Sequence, residues 1–169
     1  RNASTFNGFC GHHDRTLFAQ LDRADFSHPD RFFAQLFYRT VAFELYRKVS
    51  AKRMSDRLLD HSARGRIPNR DTEYFAHNAI AHNIGVKELI ALKTPLEAAV
   101  LSGKFGVVSF EALQLDTILP IAASACFQPT VDFHGKSIQT VNQFYRVGGR
   151  LLVPELHSVA FFILPFRSG

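Results

Sequence analysis

The chain has 169 residues, of which 46% are hydrophobic, and a formal net charge of +5 at pH 7. This length fits a single domain with a substantial hydrophobic core. The composition excludes a disulfide scaffold, because only two cysteines are present. No signal peptide is recognisable and no apolar run approaches the ~18 residues of a transmembrane helix, so we expect a cytoplasmic protein with no membrane partner. The chain begins at Arg1 without an initiator Met, which suggests a piece of a longer protein.

Residues 1–26 are predicted to form a loop-rich segment that could serve as a metal knuckle, with Gly8 and Gly11 marking a tight turn. Residues 27–103 are predicted to form a pair of long, packed helices. The first starts at Ser27-His28-Pro29-Asp30, with a capping serine and a proline in the first turn, and continues to about Ser62.

The second helix is predicted from Asp71 to about Ser102, and Thr94-Pro95 indicates a kink or a restart within it. Eight residues of this helix are spaced alternately four and three positions apart, which indicates a seam for packing against the first helix. The seam residues are Phe75, Ala79, His82, Val86, Leu89, Lys93, Leu96 and Val100.

Residues 104–169 are predicted to be strand-rich. Strand candidates lie at 107–115, 121–127, 137–141, 151–153 and 158–164, with a turn at 132–136. Helices followed by strands favour an α+β fold within one domain, 1–169, in which two long packed helices precede a mostly antiparallel sheet. The residues predicted to be buried are Phe33, Leu36, Phe37, Leu89, Leu96 and Phe161.

Cys10 and His13 are the most specific candidates for chemistry. A thiolate and an imidazole separated by two residues can converge on one ion, and both are good ligands of Zn²⁺. We therefore predict that they bind zinc or another divalent metal, with sulfur and nitrogen roughly 3–4 Å apart. A closed zinc site needs four ligands, and upstream flanking segments of the longer chain are the preferred source of the other two. The alternative is a small buried thiol beside solvated histidines.

His12, His13 and Asp14 are the candidate catalytic residues. If the protein hydrolyses phosphodiesters, the metal would polarise the phosphate, and His12 or His13 would activate a water molecule. Asp14 could orient an imidazole without binding the metal itself.

Positive charge is concentrated between Arg47 and Arg70. This stretch carries eight basic residues against Asp56 and Asp60, hence +6, and the rest of the chain sums to −1. A localised basic stretch indicates a polyanionic partner better than a high pI does. The predicted nucleic-acid-binding residues are Arg47, Lys48, Lys52, Arg53, Arg57, Arg64, Arg66 and Arg70. The alternative is an ordinary solvated helix face.

The block Ser4-Thr5-Phe6-Asn7-Gly8-Phe9-Cys10-x-x-His13-Asp14-x-x-Leu17-Phe18 resembles a set of uncharacterised bacterial proteins. The segments Pro120 to Phe127, Asp132 to Gly135 and His157 to Leu164 are also similar to that set. Its members look as though they carry an upstream Cys/His cluster like the zinc-knuckle half of HNH-type nucleases. The resemblance implies that Cys10 and His13 are the downstream half of such a site.

These observations favour a metal-site-containing bacterial protein that binds or cleaves nucleic acid, with HNH-like, metal-assisted phosphodiester hydrolysis if it is catalytic. The alternative is a non-catalytic interaction domain that packs against a partner or against the rest of its own chain. A third interpretation is a small-molecule-binding fold with its pocket at Ile121–Phe127. Whether the protein is an enzyme stays open at this point.

Overall fold

The computed structural model describes residues 8–23, 25–68, 71–111, 123–127, 131–132, 134–137, 145–147, 150–152 and 159–163. The chain divides into two compact units, Arg1–Val107 and Val108–Gly169. The first unit contains the helices α1 (Gly11–Leu17), α2 (Ala19–Asp22), α3 (Pro29–Ala63) and α4 (Thr72–Ser102). The second contains the strands β1 (Ala123–Phe127), β2 (Tyr145–Val147), β3 (Arg150–Leu152) and β4 (Val159–Ile163).

The two long helices are confirmed, and their ends lie within two residues of the predicted positions. His28, not Ser27, is the N-cap of α3, and Pro29 occupies the first helical position, where its missing N–H costs no helical hydrogen bond. Gly103 ends α4 with φ of 72°, a left-handed conformation that glycine adopts without a Cβ clash. Of the kink or restart predicted at Thr94-Pro95, the restart is wrong, because α4 continues through Pro95 as one helix.

α3 and α4 pack against each other as an antiparallel pair. Contacts link successive positions of α3 to positions of α4 in reverse order: Tyr38 with Glu97, Lys48 with Gly85, and Ser62 with Thr72. All eight residues of the predicted α4 seam are buried or half-buried, which confirms the seam. At Gly85 a Cβ would lie 3.2 Å from Cε of Lys48, so the absence of a side chain there lets the lysine cross the interface.

The core of the first unit is displaced from the predicted one. Of the predicted core residues, Leu96 is buried, but Phe33, Leu36, Phe37 and Leu89 are only half-buried. The side chain of Phe161 lies outside the described part of the chain. The buried side of α3 is instead formed by Phe32, Ala34, Gln35, Tyr38, Val41 and Ala42. A broad apolar stripe does not by itself determine which of two adjacent residues faces the core.

The second unit contains short strands. β1 pairs antiparallel with β4 from Ala123↔Ile163 to Phe127↔Val159, and β2 pairs antiparallel with β3. At the turn between Val131 and Ser137, Asp132 Oδ1 accepts hydrogen bonds from the backbone N–H groups of His134 and Lys136.

The predicted α+β class, with a mostly antiparallel sheet after the helices, is wrong. The described residues are mostly helical, and within them the strands form only two separate two-stranded pairings. Residues 107–111, predicted as a strand, lie in a turn and in irregular backbone. The remainder of that candidate, 112–115, and most of 137–141 lie outside the described residues. Local β propensity after Gly103 therefore gives short pairings but no extended sheet in the described part.

Among the helices that the structure describes, none combines the length and the apolar character needed to cross a lipid bilayer.

Two leucines of α4 test the packing of this helix against α3. Leu96 is 3% exposed and Leu101 is 72% exposed. We expect Leu96→Ala to lower the free energy of unfolding by about 2–5 kcal/mol, because it leaves a cavity in the core. Leu101→Ala should change it by about 0.5 kcal/mol or less. Urea unfolding followed by circular dichroism measures both, and equal effects would show that the α3–α4 interface does not stabilise the unit.

Candidate functional site

Cys10 and His13 converge at the start of α1, as predicted. Cys10 Sγ lies 3.2 Å from His13 Nδ1, within the expected range. Cys10 is the N-cap of α1, with ψ of 153°, and its sulfur also accepts a hydrogen bond from the backbone N–H of His13. The N-cap side chain turns back towards the third helical residue, which is why this spacing brings the two side chains together. Both are exposed, so the predicted alternative of a buried thiol does not hold for Cys10.

The segment that carries this pair is more helical than the sequence indicated. His12, His13 and Asp14 lie in α1 and not in a loop. The rings of His12 and His13 lie 5.7 Å apart, whereas the Asp14 carboxylate contacts Arg39 of α3. Their catalytic role stays a prediction.

α1 is anchored on α3 by an aromatic cluster. The rings of Phe9 and Phe18 are 5.0 Å apart in an edge-to-face arrangement, and Phe9 lies 5.7 Å from Tyr38 of α3. Phe18 is fully buried. Aromatic pairs of this geometry contribute about 0.5–1.5 kcal/mol beyond their burial. The backbone on both sides of the Cys10–His13 pair is thereby held against the long helix.

Arg39 of α3 binds residues of both α1 and α2. Its guanidinium lies 5.2 Å from the ring centre of Phe18 and reaches the carboxylates of Asp14 at 3.4 Å and Asp22 at 3.5 Å. Asp14 therefore contacts Arg39, and the described contacts of His13 Nδ1 are with Cys10. The expected orientation of an imidazole by Asp14 is not among the described interactions.

Within the described residues, no three Cys, His, Asp or Glu side chains are grouped closely enough to hold a metal ion. If Cys10 and His13 bind a metal, they supply two of the four ligands of a closed zinc site. Metal binding itself stays a prediction.

The basic residues between Arg47 and Arg57 lie on two sides of α3. Arg53 and Arg57 are exposed and lie one turn apart on the side away from α4. Neither makes an ion pair with an acidic residue in the part of the chain that the structure describes. Lys48 and Lys52 lie on the side near α4 and are half-buried. Lys52 also forms an ion pair with Asp56 at 2.6 Å.

The other basic residues flank the exposed pair. Arg47 is 65% exposed, lies over the ring of Phe43 and approaches Glu44 at 3.5 Å. Arg64 forms an ion pair with Asp60 at 2.9 Å, and Arg66 is exposed. Arg70 lies outside the described residues. Their role as a nucleic-acid-binding set stays a prediction, as does the third interpretation, whose pocket at Ile121–Phe127 falls partly outside the described residues.

Sequence reasoning missed the polar cluster at the α3–α4 interface. The Tyr38 hydroxyl donates to Glu97 at 2.8 Å, Lys93 Nζ lies 2.6 Å from the same carboxylate oxygen, and Lys93 also sits over the Tyr38 ring. Burial, followed by the hydrogen bond to Glu97, raises the pKa of Tyr38 well above its ordinary value. Hydrogen bonds from Lys93 and then Tyr38 lower the pKa of Glu97. The i,i+4 spacing of Lys93 and Glu97 was the available signal.

No protein-family model, curated protein or solved structure matches this chain. The resemblance of the Phe9-Cys10-x-x-His13-Asp14 block to uncharacterised bacterial proteins therefore remains an expectation.

The shifted pKa values of Tyr38 and Glu97 predict how stability depends on pH. A raised tyrosine pKa stabilises the fold below about pH 10, and this contribution is lost as the pH rises through the folded-state value. The lowered pKa of Glu97 stabilises the fold above about pH 4.5, and this stabilisation is lost on acidification. We expect Tyr38→Phe to flatten the alkaline fall in the free energy of unfolding. Urea titrations across pH measure it, with Tyr74→Phe, an exposed tyrosine, as the control.

The role of Tyr38 would be contradicted if the free energy of unfolding of Tyr38→Phe fell at alkaline pH as steeply as that of Tyr74→Phe and of the unmodified chain.

Proposed function

We propose that this protein binds nucleic acid through the exposed side of α3 and binds a divalent metal through Cys10 and His13. The observation that carries the first part is the pair Arg53 and Arg57, exposed one turn apart and without an acidic partner among the described residues. An arginine that is not already paired can offer its fork of N–H donors to phosphate oxygens.

The spacing of the two arginines supports a phosphate-backbone contact. Four residues of α-helix rise about 6 Å, comparable to the separation of neighbouring phosphates along a strand. Contacts of this kind position a protein on nucleic acid but do not read its sequence. Of the other exposed cations, Arg47 precedes this pair on α3, and Arg64 and Arg66 follow the end of the helix at Ala63. Arg47 and Arg64 already approach the carboxylates of Glu44 and Asp60.

Metal-assisted hydrolysis is the catalytic form of the proposal. His13 Nδ1 faces Cys10, which leaves the exposed His12 as the better candidate for activating water. Arg39, which contacts α1, and Arg53, the first of the two exposed arginines, are separated by about 21 Å along α3. The phosphate held by Arg53 is therefore not the one that a metal at Cys10 would polarise.

The second candidate function, an interaction domain, is favoured by one observation on α4. Ile80, Ile90 and Leu101 lie on its outer side and are 55%, 49% and 72% exposed. Large exposed apolar side chains mark interaction sites when they form a patch. In this alternative α4 packs against another polypeptide and the basic residues of α3 are a solvated face.

Salt dependence distinguishes the two candidates. Log affinity for a duplex should fall with log salt concentration, with a slope near −0.9 for each phosphate neutralised. We expect Arg53→Gln with Arg57→Gln to weaken binding and to reduce the slope by about 1.8. The matched control is Lys87→Gln with Lys104→Gln, which removes the same charge from exposed positions outside α3. Fluorescence anisotropy at several salt concentrations measures both, for a duplex and a single strand.

No binding at low salt, or equal losses in the two double variants, would remove the nucleic-acid proposal and favour the interaction domain. Circular dichroism establishes that each variant is folded.

Chelation tests the catalytic form. If the protein hydrolyses phosphodiesters, cleavage of a labelled strand should stop in EDTA, return with added divalent metal, and be lost in His12→Gln. Cleavage that persists in EDTA would contradict metal-assisted hydrolysis. Binding without cleavage would mean that the function is nucleic-acid binding by the arginine surface.

A further inference from the structure

The Cys10–His13 pair has the separation of two ligands on one tetrahedral ion. Zinc–sulfur and zinc–nitrogen bonds of about 2.3 and 2.0 Å at a tetrahedral angle place the two ligand atoms about 3.5 Å apart. The sulfur and Nδ1 are 3.2 Å apart, so a shift of a few tenths of an ångström would admit the ion between them. Both side chains are exposed, and metal binding needs no opening of the core.

Among the residues that the structure describes, none near the pair supplies the other two ligands. Residues 1–7, which precede it in the sequence, contain no Cys, His, Asp or Glu. The nearest carboxylate in sequence, that of Asp14, is held by Arg39. Within the described residues no third ligand completes a group. A closed tetrahedral zinc site therefore needs two ligands from another source.

We propose that two copies of this chain share one zinc ion, each supplying Cys10 Sγ and His13 Nδ1. A two-fold axis through the ion would place the same pair on both sides, which gives the Cys₂His₂ set of a structural zinc site. Two thiolates neutralise the charge of the ion, so the shared site carries no net charge. The inference rests on the metal-binding part of the proposed function and not on nucleic-acid binding.

The position of the pair in the first unit favours such a site. α1 is short, but Phe9 and Phe18 fix it on α3, so the two ligands are held in place before the metal binds. His12 is on α1 about 100° from His13 and is not needed as a ligand. Each zinc-linked dimer would carry two copies of the Arg53–Arg57 surface, and two linked surfaces bind one polyanion more tightly than either alone.

Zinc titration of the full 169-residue chain tests the proposal, with a non-thiol reductant present throughout. We expect zinc to double the molar mass measured by sedimentation equilibrium, with one zinc for every two chains by elemental analysis. Cobalt in place of zinc should give the visible spectrum of a tetrahedral site with thiolate ligands. Cys10→Ser and His13→Gln should each abolish both effects. Cys126→Ala and His77→Gln, which change the same residue types elsewhere in the chain, should preserve them.

Several results would overturn the proposal. One zinc per chain in a monomer would mean that the remaining ligands come from the same chain or from water, and not from a second copy. No zinc-dependent change in mass would mean that the pair needs ligands from flanking segments or binds no metal. A dimer that persists in EDTA and disappears only on stronger reduction would be a disulfide. The anisotropy titration of Arg53→Gln with Arg57→Gln, run in EDTA, tests nucleic-acid binding without zinc. Elemental analysis of the monomer shows whether zinc binds without linking two chains. Failure of the dimer, failure of metal binding and failure of nucleic-acid binding are therefore distinguishable.

Discussion

Tyr38 is the residue on which the arrangement of the first unit depends. Its ring contacts Phe9 and Phe18 from the α1 side, and its hydroxyl donates to Glu97 of α4. Tyr38 is 4% exposed, so its hydroxyl would be a costly buried donor without the carboxylate. One side chain thus joins the short N-terminal helix and both long helices.

The candidate metal ligands depend on this junction. Cys10 and His13 are on the surface and make few contacts of their own beyond each other. Their position relative to α3 comes from the aromatic rings beside them and from the ion pairs of Arg39. Surface ion pairs of this kind contribute about 1 kcal/mol or less, whereas a buried aromatic side chain contributes several. The rings, more than the charges, fix where a metal would sit.

The sequence allowed the helices, the α4 seam and the convergence of Cys10 with His13 to be predicted, because each depends on local spacing. The extent of the sheet could not be predicted, because strand pairing requires residues distant in sequence to meet. The core register of α3 was missed for a similar reason. Phe33 and Phe32 are equally apolar, but Phe32 is the buried one, and its ring packs against Phe26 with ring centres 4.3 Å apart. The separation of Lys52 from Arg53 depends likewise on where α4 packs.

Distance within the first unit limits what the proposed metal and the exposed arginines could do together. Arg39 contacts α1, and Arg53 begins the exposed arginine pair about 21 Å further along α3. If a metal binds at Cys10 and His13, the phosphates that Arg53 and Arg57 would contact lie too far from it to be its substrates. A metal that links two chains has no such requirement, because it acts on the number and orientation of binding surfaces. Hydrolysis would instead require a polyanion long enough to reach from Arg53 to the metal, so the length of the bound strand distinguishes the two roles.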